Sequence, residues 1–127
     1  MKLLLDTHAF LFAISDWDRL GPQAQRLLRE PDVERWVSAV TLWEIAIKVQ
    51  IGGLPLPKDR AFYVTHLDRL TAQLLAVEPE HSFALFNLPL HHGDPFDRML
   101  IAQARVEGLT IATRDRAFSR YDVPVVW

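Results

Sequence analysis

The run Leu3-Leu4-Leu5, closed abruptly by Asp6-Thr7, constrains the fold more than any other stretch of the chain. A strand with one wet face alternates apolar and polar residues, whereas an unbroken apolar run of this length reads as a strand covered on both faces. Such strands belong to parallel sheets sandwiched between helices, and the polar residues that end them gather at one edge of the sheet. The rest of the chain repeats the theme. Apolar runs at residues 36–38, 74–77, 109–112 and 123–126 predict further strands. Between them, helices are predicted over residues 8–15, 22–29, 41–51, 60–70, 80–86 and 114–119. The clearest helix starts at Asp94-Pro95 and ends at Gly108, with Phe96, Met99, Leu100, Ala102, Ala104 and Val106 giving apolar repeats at three and four residues. Strands alternating with helices predict a single α/β domain over residues 1–127, with a mostly parallel sheet of four to five strands and helices on both faces.

The acids that fall at the expected sheet edge are the candidate functional residues. Asp6 follows the first strand, and Asp115 follows the strand at residues 109–112. Glu44 and Asp97 come from the first turns of two helices. Each also has a purely structural reading. Asp6 can cap its helix, Glu44 can pair with Lys48 at i,i+4, Asp97 suits a helix dipole beside Asp94, and Asp115 suits the first turn of a short helix. These readings explain least well why Glu44 is embedded in Leu42-Trp43-Glu44-Ile45-Ala46-Ile47, since a carboxylate is costly to bury unpaired. Four acids from separate segments repel one another unless a cation lies between them. With no cysteine in the chain, all-oxygen ligation points to Mg²⁺ or Mn²⁺ and to phosphoryl chemistry, with water as the nucleophile.

The ordered set Leu5-Asp6-Thr7-His8, Ser38 with Leu42 to Lys48, His91-His92-Gly93-Asp94-Pro95-Phe96-Asp97-Arg98, Thr113-Arg114-Asp115 and Trp127 resembles the PIN-domain ribonucleases. More narrowly it resembles the VapC-type toxins of bacterial toxin–antitoxin pairs. The resemblance implies a metal-dependent endoribonuclease with Asp6, Glu44, Asp97 and Asp115 as metal ligands. It implies hydroxyls at Thr7, Ser38 and Thr113 beside the site, Thr113 among the catalytic residues, and Asp94 as a helix cap and not a ligand. It further implies a homodimer held in check by a VapB-like antitoxin.

Lys48, Arg98, Arg114 and Arg116 are the candidates for contacts to RNA phosphates. His91 and His92 are adjacent and read poorly as joint metal ligands, and the tryptophans read as packing residues. The absence of cysteine suits a reducing cytoplasm, and no apolar run reaches the ~20 residues of a membrane span. Two rival readings remain. One is a non-catalytic RNA- or protein-binding domain, in which the acids are caps and surface charges. The other is a Mg²⁺-dependent phosphatase of the haloacid-dehalogenase type, which needs a second aspartate where this chain has His8. Taken at face value, the net charge of −2 argues against a phosphate partner. Setting the four acids aside, 14 basic residues face 12 acidic ones, so the remainder is mildly basic.

Overall fold

A computed structural model describes residues 1–127. The five strands are β1 (Lys2–Leu5), β2 (Glu34–Ser38), β3 (Ala72–Leu75), β4 (Thr110–Ala112) and β5 (Val125–Val126). They form one sheet in the order β3-β2-β1-β4-β5, every neighbouring pair parallel. The helices are α1 (Thr7–Ser15), α2 (Pro22–Arg29), α3 (Ala39–Gln50), α4 (Arg60–Arg69), α5 (Pro79–Ala84) and α6 (Pro95–Glu107), with three short 3₁₀ turns.

The three leucines of β1 are fully buried, and they divide between two cores. Leu3 and Leu5 pack with Phe10, Leu28, Val37 and Ile45 on one face, while Leu4 packs with Leu100, Ile101, Ile111 and Phe118 on the other. This is what the unbroken run required. The chain builds β1, β2 and β3 outward in one direction and then returns through α5 and α6 to lay β4 on the other side of β1. The order of strands therefore reverses between β1 and β4. The crevice beyond the carboxyl ends of those two strands is where a ligand site forms in open α/β sheets.

Most predicted elements stand close to their expected places, and two are displaced. The third strand runs over Ala72–Leu75, two residues ahead of expectation. It lies at the edge of the sheet, so Leu74 is exposed and the apolar pattern marks the strand poorly. Helix α3 begins at Ala39, two residues ahead of expectation, because Ser38 caps it, with Ser38 Oγ accepting from the Val40 amide at 3.0 Å. Helix α6 starts and stops as predicted, with Pro95 in its first turn and Gly108 at a left-handed φ of 69° closing it.

The last residue and the start of α2 hold each other. The Trp127 carbonyl accepts from the amides of Gln23 at 2.8 Å and Ala24 at 3.2 Å, satisfying two of the orphan donors of the helix N-terminus. Gly21 permits this approach. A Cβ placed there would lie 2.3 Å from the Trp127 carbonyl carbon. Gly21→Ala is therefore expected to destabilise the fold by about 1–3 kcal/mol, as overpacking does. Urea unfolding tests this; an unchanged midpoint would mean the carboxyl-terminal strand and α2 can part at no cost.

Candidate active site

Asp6 leaves the buried strand at the crevice. Its Oδ1 accepts from the Ala9 amide at 2.7 Å, so the acid caps α1, as its structural reading anticipated. It is also 4% exposed. Burial pushes its carboxyl up from the ordinary aspartate range, Asp115 adds to the rise, and a hydrogen bond from Thr113, the Ala9 amide and His8 oppose it. Thr113 is the first residue after β4 and is itself buried. Asp115 stands two residues on, exposed, capping the 3₁₀ turn Arg116–Arg120 through the Ala117 amide at 2.9 Å.

Asp97 comes to the same place from the first turn of α6. Its backbone amide donates to Asp94 Oδ1 at 3.0 Å, which makes Asp94 the helix cap expected from the sequence. Burial raises the Asp97 carboxyl to about 6, with repulsion from Asp94 and Asp115 adding to the rise and His92 opposing it. Asp6 and Asp97 thus both feel Asp115, so the three acids share one electrostatic neighbourhood.

Glu44 is attached differently. It is buried, its Oε1 accepts from the Thr7 hydroxyl at 2.7 Å, and its Oε2 pairs with Lys48 Nζ at 2.6 Å. The Lys48 ammonium balances its charge, and Glu44 is absent from the groups that raise Asp6 or Asp97. Of the four expected acids, Asp6 and Asp97 each feel Asp115, while Glu44 is paired with Lys48. Thr7 carries Glu44 to the site, since it is the residue next to Asp6.

A hard divalent cation fits this donor set. Two carboxylates are held in surroundings that disfavour their charge, every donor is oxygen, and a cation would relieve both strains. No three acidic or histidine side chains are gathered tightly enough to enclose an ion.

Other expected residues are placed less simply. Ser38 is fully buried, and its hydroxyl donates to Gln103 Oε1 at 2.6 Å while capping α3, so it serves the fold and not the crevice. Arg98, expected to meet phosphate, is spent within the chain. It donates to the Pro89 carbonyl at 2.7 Å, the Leu88 carbonyl at 3.3 Å and the Tyr121 hydroxyl at 3.0 Å. Lys48 is committed to Glu44, although its side chain is partly exposed. Arg114 lies over the Phe12 ring at 5.0 Å and remains exposed, as does Arg116.

The sequence reading missed His92 and Tyr121. His92 Nε2 lies 3.3 Å from Asp97 Oδ2, and its Nδ1 lies 2.7 Å from the Tyr121 hydroxyl. A signal was present for His92. Residues just before a helix cap fold back over the first turn, and Asp94-Pro95 fixes that cap. Tyr121 had none, because its contact depends on how the turn after β4 packs against α6. A separate apolar groove of about 500 Å³ between α3 and α4, lined by Leu42, Ile45, Val49, Tyr63 and Leu67, contains none of the candidate acids.

The comparisons agree with this architecture. The sequence matches the PIN domain over residues 3–124. No curated protein matches significantly. Among solved structures, VapBC2 from Rickettsia felis, bound to a DNA fragment from its promoter, superposes with a TM-score of 0.71 at 16% identity, covering 99% of this chain and 98% of that one. DNA-bound VapBC from Salmonella typhimurium gives 0.70 at 18% identity, over 99% and 97% of the two chains. FitAcB from Neisseria gonorrhoeae gives 0.64 at 23% identity, over 98% and 96%.

Because the Asp97 pKa is raised from 3.8 to about 6, the native state holds a proton between those values that the unfolded chain has released. Stability must then fall as pH rises through that window. In metal-free buffer Asp97→Asn is expected to stabilise the protein at pH 7.5 by on the order of 1 kcal/mol after screening, with the advantage gone near pH 4. Urea unfolding at the two pH values measures it; an equal difference at both would refute the electrostatic origin.

Proposed function

The chain belongs to the PIN domain family, and on that premise we propose that it is a metal-dependent endoribonuclease, the toxin of a VapBC-like toxin–antitoxin pair. The observation that supports the reading is that Asp6 and Asp97 are both raised by burial and both feel Asp115, with Asp94 adding the larger repulsion at Asp97, beside the strand-order reversal. The whole-chain likeness to VapBC structures supports the toxin half of the proposal.

In this reading Asp6, Asp97, Asp115 and Glu44 form the metal site. Asp6 and Asp97 offer oxygens directly, Asp115 adds charge at the rim, and Glu44 is held ready by Thr7 and Lys48. Thr113 steadies the Asp6 carboxylate. When bound, Mg²⁺ or Mn²⁺ supplies positive charge to the scissile phosphate and acidity to water. The net reaction adds water to phosphorus and breaks one phosphodiester bond, leaving a phosphate monoester on one fragment and a hydroxyl on the other. Arg114 and Arg116, exposed on either side of Asp115, position the RNA backbone. Lys48, whose Nζ is held by Glu44 at 2.6 Å, adds a weaker third contact only through the N–H donors that this pairing leaves free.

Apolar surface is available for partners. Phe86 and Leu90 are 86% and 84% exposed, and the groove between α3 and α4 lies open. A second copy of the chain and an antitoxin segment are the proposed occupants, in the cytoplasm. No helix is long and apolar enough to cross a membrane.

The test is cleavage of RNA, with single-stranded DNA of the same sequence as control. Cleavage of RNA is expected with Mg²⁺ or Mn²⁺, and none with EDTA. Asp6→Asn and Asp97→Asn should each lower the rate by on the order of a hundredfold or more, the scale of lost charge stabilisation. Activity that persists in EDTA and in both variants would overturn the assignment. Mg²⁺ should also raise the melting temperature of the parent more than that of either variant.

A further inference from the structure

We propose that Tyr121 and His92 are positioning residues that fix which oxygen of Asp97 faces the metal. The inference rests on the metal-site reading above and adds two residues to it.

The argument begins with the Tyr121 hydroxyl, which has one proton and two lone pairs. Three groups approach it. Arg98 Nη1 at 3.0 Å and the His92 backbone amide at 3.2 Å can only donate, so they occupy both lone pairs. The hydroxyl proton is then directed to the third neighbour, His92 Nδ1, at 2.7 Å the shortest of the contacts. Nδ1 accepts, so the ring proton of the neutral imidazole sits on Nε2. From there it points at Asp97 Oδ2, 3.3 Å away. One oxygen of the carboxylate is thereby engaged within the chain, and Oδ1 is left for an ion.

The relay is anchored at its far end. Arg98 is tied to the carbonyls of Leu88 and Pro89, the Tyr121 side chain is packed among Leu100, Ile111 and Phe118, and the His91 ring meets the Tyr121 ring edge-on at 4.9 Å. Tyr121 cannot turn without opening that core. This accounts for the placement of Arg98, which is otherwise a surface cation buried in backbone contacts. Hydrogen-bonded partners that orient a ligating carboxylate typically change metal affinity or activity by ~10–100-fold when removed.

The test measures Mn²⁺ binding by the paramagnetic signal of free Mn²⁺, alongside RNA cleavage, in the parent, Asp97→Asn, His92→Leu, His92→Gln and Tyr121→Phe. Tyr121→Phe keeps the ring and removes only the hydroxyl. His92→Gln keeps an N–H donor near the position of Nε2. Tyr121→Phe and His92→Leu are expected to weaken Mn²⁺ binding roughly tenfold, and His92→Gln to recover most of it. The ¹⁵N shifts of the His92 ring should report the Nε2–H tautomer in the parent. A role confined to folding would lower the melting temperature and leave the Mn²⁺ affinity of the folded protein unchanged. Mn²⁺ binding that depends on Asp97 but not on His92 or Tyr121, or an Nδ1–H tautomer, overturns this inference alone. Mn²⁺ binding indifferent to Asp97 overturns the metal-site reading and the inference together.

Discussion

The burial of Asp6 is the constraint on which the rest of the structure turns. A strand with both faces in the core delivers its next residue to a place where water is scarce, and here that residue carries charge. Part of the cost is offset locally, by the Ala9 amide and by Thr113. The remainder is not, because Asp115 stands within electrostatic range and Asp97 feels the same neighbour from α6. A fold seeking only stability would place a serine or an asparagine at such a cap, since either satisfies the helix amide without charge. An aspartate here with its carboxyl raised is the pattern found at functional sites.

Much of the fold was legible because its signals are local. The run Leu3-Leu4-Leu5 announces a doubly covered strand, Asp94-Pro95 and Gly108 bracket α6, and Pro22 starts α2. Legibility failed where a residue's environment is one-sided or set by distant partners. Strand β3 has a single neighbour and an exposed Leu74, so its pattern carries little register. Helix α3 starts two residues before its predicted place, at the cap Ser38, whose hydroxyl is held by Gln103 from α6. Nothing within ten residues of Ser38 foretells that contact.

The candidate site divides in the same way. That Asp6 and Asp115 reach one edge follows from the parallel sheet, and Asp97 from the cap preceding it. Their degree of coupling does not follow. The i,i+4 pairing of Glu44 with Lys48 was visible as a structural alternative to a functional role, and the structure shows that pairing together with a Thr7 contact beside Asp6. Glu44 touches Thr7 on one oxygen and Lys48 on the other, so both oxygens of this buried carboxylate are hydrogen-bonded. Arg98 went the opposite way, from a presumed ligand contact to an internal anchor. A planar guanidinium next to two backbone carbonyls and a phenol finds enough fixed acceptors to be held within the chain, half-buried.

These commitments change how the charge of the molecule is distributed. Counting residues, removal of four acids leaves a mildly basic remainder. In space, much of that basicity is already spoken for. Lys48 serves Glu44, Arg98 serves Tyr121, and Arg35 bridges the carbonyls of Leu28, Glu30 and Val33. What remains at the crevice is Arg114 and Arg116, one on each side of Asp115. The Phe12 ring beneath Arg114 orients its guanidinium without using its hydrogen-bond donors, which keeps them available to an anion. A polyanion approaching this edge therefore meets a narrow pair of cations flanking an acidic centre. Attraction strong enough to hold it requires the acids to be neutralised first. In the proposed reading, cation binding and substrate binding would be coupled through charge alone, before any chemistry begins.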